Sequence, residues 1–360
     1  MSTTTARPAA DPGTQVAAQA AAAPLRGDAP GRKRAAWLAA AVVVLVLMAG
    51  ASLAVGARDV PPGTVWQALA AFDPANGDHA VVQARIPRTV LGLLAGGALG
   101  LAGAAMQGVA RNPLADPGII GVNAGAALAV VTGIYIFGVT GFSGYIWFAF
   151  IGAATAAVVV YFIASLGREG ATPVKLALAG AALSAGLSSL MNVILVSSQD
   201  TLDRFRFWQV GGTAGRDWAV LLPGLPFLAA GALIVLQGGR TLNNMALGDD
   251  TARGLGQRVG PARAGTALGI VLLCGTATAL AGPIGFVGLV VPHAVRFLTG
   301  PDYRWILPFS LVAAPALLLG ADIIGRVVLL PGEVPAGIMT ALVGAPVFVW
   351  LIRRGKGAGL

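Results

Sequence analysis

The sequence predicts an all-α, polytopic membrane protein that crosses the bilayer about ten times. Three observations carry this. Of 360 residues, 56% are hydrophobic and only 11% charged, against about 25% charged in an ordinary soluble chain. Mean hydropathy is +0.78. The charged residues also stand far apart, leaving long runs free of Asp, Glu, Lys and Arg. These features argue against a soluble enzyme, a disordered chain, a coiled coil and a nucleic-acid binder.

A bilayer core of about 30 Å takes roughly 20 helical residues. Arg34 to Arg58 encloses 23 charge-free residues and Arg88 to Arg111 encloses 22, one helix each. The 51 residues between Asp116 and Arg168 make two helices, with a turn at Gly138–Gly144. Lys175 to Asp200 encloses 24 and Asp217 to Arg240 encloses 22. Arg263 to Arg296 encloses 32, broken by Gly282-Pro283 into two helices. Arg304 to Asp322 encloses 17 and Glu333 to Arg353 encloses 19, the ninth and tenth helices. Gly92, Gly96 and Gly100 stand four apart, as do Ala104 and Gly108. Such spacing lets helix backbones approach closely in lipid.

An even number of crossings puts both termini on one side. Arg32, Lys33 and Arg34 precede the first helix, and Arg353, Arg354 and Lys356 follow the last. The excess of Lys and Arg in cytoplasmic loops makes that side the cytoplasm. Alternation then places 17 of the 24 Lys and Arg inside, so topology accounts for the net charge of +9 without nucleic acid. Residues 1–30, rich in Ala, Pro, Thr and Gly, read as a disordered cytosolic tail. The membrane domain takes residues 31–360. The first apolar run is longer than the 7–15 residues of a cleaved signal core, so it is expected to be a retained span.

Several chemistries lack their residues. No G-x-x-x-x-G-K-[ST] loop is present; Gly355-Lys356 is followed by Gly357, so no loop here cradles ATP phosphates. One cysteine, Cys274, and two histidines, His79 and His293, supply neither a disulfide framework nor a metal cluster. No catalytic residue and no metal ligand are expected. The chief acid at membrane depth is Asp322, and proton-driven carriers usually need more ionisable groups within their spans. Energy for uphill movement would then come from a partner. A secondary carrier without an ATPase is the alternative.

The polar loop 240–263 is the largest of those expected on the inner side. Leu247, Ala252 and Leu255 can form one apolar stripe of a short helix. It is either a solvated connector or a docking surface for a cytosolic protein. Asn112-Pro113-Leu114 is a helix end, because Pro113 cannot continue a helix and restricts the residue before it. Arg326 follows Asp322 by four residues, a favourable intrahelical pair. Arg85 and Arg88 can serve as interfacial anchors that extend to the headgroups.

From Arg85 to Arg354 the chain resembles the permease subunits of iron-siderophore and vitamin B12 ABC importers, the FecCD or BtuC-like family. Four ordered blocks carry the resemblance. The first is Arg85-Ile86-Pro87-Arg88, a glycine-rich helix, Gln107 and Arg111 through Gly118. The second is Leu247-Gly248-Asp249, Ala252 and Leu255-Gly256. The third runs from Ala281 to Leu289 and through Pro292-His293 to Arg296. The fourth is Ala321-Asp322, Arg326, Glu333, Pro335, Gly337, Thr340 to Leu342 and Gly344 to Pro346. Asp249 departs from the pattern, where Glu is expected after Leu-Gly.

The resemblance implies a type II importer bundle in the cytoplasmic (inner) membrane, carrying a metal chelate: a ferric siderophore, with cobalamin or haem as alternatives. It implies a second permease copy or paralogue, two ATPase subunits holding ATP and Mg, and a binding protein, lipid-anchored or periplasmic. No cofactor is then bound by this chain. Leu247, Gly248, Asp249, Ala252, Leu255 and Gly256 become the ATPase coupling element. Arg85, Arg88 and Arg326 become the docking residues for the binding protein. Asn112, Leu114 and, in the Arg168–Lys175 loop, Thr172 become the cytoplasmic gate.

Overall fold

The computed structural model describes residues 31–139, 141–166 and 172–355. The tail at residues 1–30, Arg168 and Lys356 lie outside the described residues. Four helices open the chain's course: α1 (Gly31–Ala54), the short α2 (Pro62–Ala70), α3 (Gly77–Ala110) and, after a 3-10 turn at Pro117–Ile120, α4 (Val122–Phe137). Next come α5 (Phe142–Ser165), α6 (Pro173–Ser197) and α7 (Gln199–Gln209). Two pieces, α8 (Trp218–Leu221) and α9 (Leu225–Gln237), run on as one apolar unit. The short α10 (Gly239–Ala246) and α11 (Asp249–Gly254) precede α12 (Val259–Ala281) and α13 (Val287–Thr299). Finally α14 (Tyr303–Val328) and α15 (Ala336–Gly355) complete the bundle.

Among the described residues, seven helices are long and apolar enough to cross a membrane: α1, α3, α5, α6, the α8–α9 unit, α12 and α14. Three shorter apolar helices, α4, α13 and α15, bring the total to the ten segments marked by the charge-free runs. The expected breaks at Gly138 and Gly282 are present, each with positive φ (63° and 76°). Several helices outrun their charge-free cores, α3 and α14 by the most. α3 begins at Gly77, capped by the Asn76 side chain on the Asp78 N–H, and so contains Arg85 and Arg88. α14 runs past Asp322 and Arg326, which are bonded to each other within it. A charge that finds its counter-ion inside the bundle does not end a helix, so counting uncharged residues shortens both.

α3 is the axis of the fold, packed against α12, α13 and α14. Its small residues allow this. A Cβ on Gly96 would stand 2.5 Å from the Pro315 backbone in α14. A Cβ on Gly103 would collide with the Gly288 carbonyl at the start of α13. α3 and α14 therefore meet backbone to backbone, with Leu91, Leu101, Leu318 and Leu319 fully buried around the seam. The four-residue glycine spacing is thus a packing face, and dispersion across it replaces the hydrophobic drive that lipid cannot supply.

Candidate coupling and docking sites

One end of the bundle gathers the first turn of α1, α10, α11 and the start of α14. The Arg34 guanidinium stands 6.0 Å from the Trp305 ring centroid. Asn243 of α10 donates its Nδ2 to Asp302 Oδ1 at 2.7 Å and accepts the Tyr303 N–H at 2.8 Å. The short helix expected around Ala252 is α11, and a second helix, α10, precedes it across Leu247-Gly248. Gly248 has φ +108°, which a side chain would strain. Leu247 and Leu255 are 63% and 60% exposed, while Ala252 is fully buried. The apolar stripe is therefore divided: the alanine packs inward and the two leucines stay open. Gly256, at φ +79°, turns the chain out of α11.

Asp249 does not project freely. Its carboxylate is ion-paired with Arg111 at the C-cap of α3 and accepts from the Arg263 guanidinium of α12 at 3.0 and 3.2 Å. Arg111 also donates Nε to the Met245 carbonyl at 2.6 Å. Burial pushes the Asp249 carboxyl up, but the charges of Arg263 and Arg111 outweigh it and hold the acid below its usual range. Nearby Asp302 is lowered to about 2, chiefly by the Arg304 side chain, with Asn243 adding to it.

The expected gate residues are local turn-makers. The Asn112 side chain accepts the Leu114 N–H at 2.9 Å, closing the turn after α3, and Leu114 is 45% exposed. Thr172 caps α6 through the Lys175 N–H at 3.4 Å. The turn at Pro117–Ile120 packs against α6.

The opposite end carries an ionic network. Asp322 accepts from Arg88 at 2.8 Å, from Thr213 at 2.6 Å and from Arg326, whose Nε lies 2.9 Å away. Arg88 also donates to Glu333 at 2.7 Å. Arg326 reaches α1, donating to the Ser52 carbonyl at 2.6 Å and the Ser52 hydroxyl at 3.0 Å. Ser52 in turn bonds Thr89 at 2.8 Å. Arg326 is 1% exposed. It is a strut between α14 and α1, with almost no surface of its own in this chain. Arg88 is nearly as enclosed but touches the exposed Glu333. Arg85 differs again. It donates to the backbone carbonyls of Leu53, Ala54 and Arg58 at 2.9, 2.9 and 2.6 Å.

Of the contacts in this network, only the Asp322–Arg326 pair is local in sequence. Thr213 and Asp322 are 109 residues apart, and Arg88 and Asp322 are 234 apart, distances at which spacing rules say nothing. His293 is buried against the edges of Phe297 and Phe348 with neither ring nitrogen hydrogen-bonded. No group of three His, Cys, Asp or Glu side chains able to hold a metal occurs among the described residues.

A ten-segment helical bundle, with paired charges at one end and an exposed two-leucine element clamped at the other, defines a polytopic membrane protein. Residues 42–354 match the FecCD transport family, and the chain belongs to it. It is 46% identical over 314 residues to the ferric enterobactin transport system permease protein FepD of Escherichia coli, covering 87% of this chain and 93% of that one. It is 41% identical to a siderophore transport system permease protein of Bacillus subtilis, YfiZ, covering 89% and 96%. Its fold matches an inward-facing metal-chelate type ABC transporter with a TM-score of 0.78 at 28% identity, covering 89% of this chain and 99% of the other.

Proposed function

We propose that this chain is the transmembrane permease subunit of an ATP-driven importer that moves a ferric siderophore across the cytoplasmic membrane. The observation that carries the reading is the 46% identity to a ferric enterobactin permease over almost the whole length of both chains. The geometry supports it. An element with two exposed leucines, held rigidly against α3, α12 and α14, suits contact with a separate ATPase subunit that binds the ATP and Mg. The chelate brings its own iron ligands, so the permease needs none.

In this reading two permease copies, or one copy and a paralogue, stand over two ATPase subunits, and a binding protein delivers the chelate to the outer end. Both termini and α10–α11 face the cytoplasm. Asn112, Leu114 and Thr172 line the cytoplasmic gate. Arg85 and Arg88 receive acidic groups of the binding protein. Arg85 is the better placed of the two, because its hydrogen bonds go to neutral carbonyls and the acids near it, Asp59 and Glu333, act only through space.

The test is uptake of radiolabelled ferric enterobactin, ferric citrate, haemin and cobalamin by a strain lacking this gene, with and without a plasmid copy. Loss and restoration of a ferric siderophore alone is the expected result. Loss of cobalamin or haemin uptake instead would move the assignment to those cargoes. Uptake that persists when every ATPase partner is deleted would make the protein a secondary carrier.

A further inference from the structure

The segment 239–257 has two faces of different character. The outward face carries Leu247, Leu255 and the nearly fully exposed Asp250. The inward face is bonded to three separate helices. Asp249 joins α3 through Arg111 and α12 through Arg263. Asn243 joins the start of α14 through Asp302 and Tyr303. Arg111 grips twice, since it also holds the Met245 carbonyl at the end of α10.

We propose that Asp249 is a positioning residue: by sharing one carboxylate between Arg111 and Arg263, it makes α3 and α12 move together when the coupling segment is pushed. This rests on the reading that an ATPase subunit seats on Leu247 and Leu255. Charge-assisted bonds are about twice as strong as neutral ones. Arg263 is almost wholly buried, so its guanidinium cannot exchange the carboxylate for bulk water at little cost. Displacement of α11 therefore carries both helices along or breaks the pair. α3 is the axis on which α12, α13 and α14 pack, so the motion reaches the centre of the bundle through its longest helix. The Asn243 contact is the weaker arm: it makes two hydrogen bonds, one of them to the Asp302 carboxylate, but no ion pair.

The experiment uses the whole transporter, purified with its ATPase subunits and reconstituted with its binding protein. ATP hydrolysis and uptake of radiolabelled ferric enterobactin, or whichever chelate the parent imports, are measured together. The variants are Asp249→Asn, which keeps shape and removes charge, Asp249→Glu, which keeps charge, and Arg111→Gln, which removes one arm. The expected result in Asp249→Asn, read on the assembled complex, is chelate moved per ATP reduced at least about fivefold. Arg111→Gln should show a smaller loss, and Asp249→Glu should restore the ratio. A purely structural role would lower assembly, hydrolysis and uptake in parallel. That outcome, an unchanged ratio in Asp249→Asn, or no recovery in Asp249→Glu overturns the clamp. If Asp249→Asn does not assemble, Arg111→Gln decides alone on the same ratio. A parent that hydrolyses no ATP with any partner overturns the underlying reading instead, and is recognised before any variant is compared.

Discussion

The Arg88 guanidinium lies 2.8 Å from the Asp322 carboxylate, joining α3 to α14 at the end of their closest packing. Asp322 is 1% exposed and is shared with Arg326, also 1% exposed. One buried acid thus serves two cations, and exposed Glu333 completes the balance.

Removing that acid should be the most damaging single change at this end. Breaking a buried ion pair by deleting one partner costs about 3–5 kcal/mol, because the remaining charge stays buried. Asp322→Asn leaves Arg326 without its carboxylate partner and Arg88 with Glu333 alone. Its unfolding temperature in detergent should fall well below the parent's, while Glu333→Gln, at the exposed rim, should shift it little. Equal shifts would show that burial does not set the cost.

Orientation is tested by labelling. A single cysteine at Asp250, with Cys274 replaced by Ala, should resist a membrane-impermeant thiol reagent in intact cells and react after lysis. Cys274 itself is buried. Reaction from outside would invert the topology.

Leu255→Asp places a carboxylate where an apolar contact is expected, and desolvating an unpaired charge costs several kcal/mol. ATPase subunits should no longer co-purify, although membrane insertion is normal. Since Leu255 is 60% exposed, the fold should be spared. Retained complex and retained uptake would remove Leu255 from the contact.

Docking is best probed at Arg85, because reversing Arg88 would also break its pair with Asp322. Exposed ion pairs are worth about 0.2–1 kcal/mol each, and their main effect is on encounter rate and orientation, weakening with salt. Arg85→Glu should slow association of the binding protein and flatten its salt dependence, with the ATPase complex intact. Unchanged association across a salt series would leave Arg85 a structural cap on the α1 carbonyls.

Asp302 gives a pH prediction. Its folded value of about 2 lies below the ordinary 3.8, so the unfolded chain binds the proton first. The contribution to stability is complete above about pH 4 and disappears as pH falls towards 2. Comparing the parent with Asp302→Asn, the difference in unfolding temperature should be constant from pH 5 to 8 and shrink below about pH 4. A difference that shrinks on raising the pH would contradict the assignment.

The ten segments were legible because bilayer thickness and charge avoidance act locally along the chain. Gly282-Pro283 was legible as a break for the same reason, since both residues interrupt a helix by their own backbone chemistry. The Asp322–Arg326 pair was legible from its four-residue spacing. The resemblance located Arg88 and Asp249, but their partners could not be read. Arg88 needed Asp322 and Glu333, and Asp249 needed Arg111 and Arg263, all fixed only when separate helices pack. The bonds of Arg326 to Ser52 of α1 could not be read either, since 274 residues separate the two.

The break between α12 and α13 bears on how the protein is made. Gly282 and Ile284 are buried there, and backbone without helical bonds is tolerated at membrane depth only when protein covers it. The cover comes from both directions along the chain. The Gly212 N–H meets the Ala281 carbonyl at 2.7 Å, and the Gly337 N–H meets the Gly211 carbonyl at 3.1 Å. Residues 210–212 leave the ribosome before the break, but Gly337 leaves more than fifty residues after it. The nascent chain must therefore hold an unfinished, partly uncovered seam until the last helix enters the bilayer. A chain that stops before α15 lacks the Gly337–Gly211 bond, so residues 210–212 are then held from the α12 side alone.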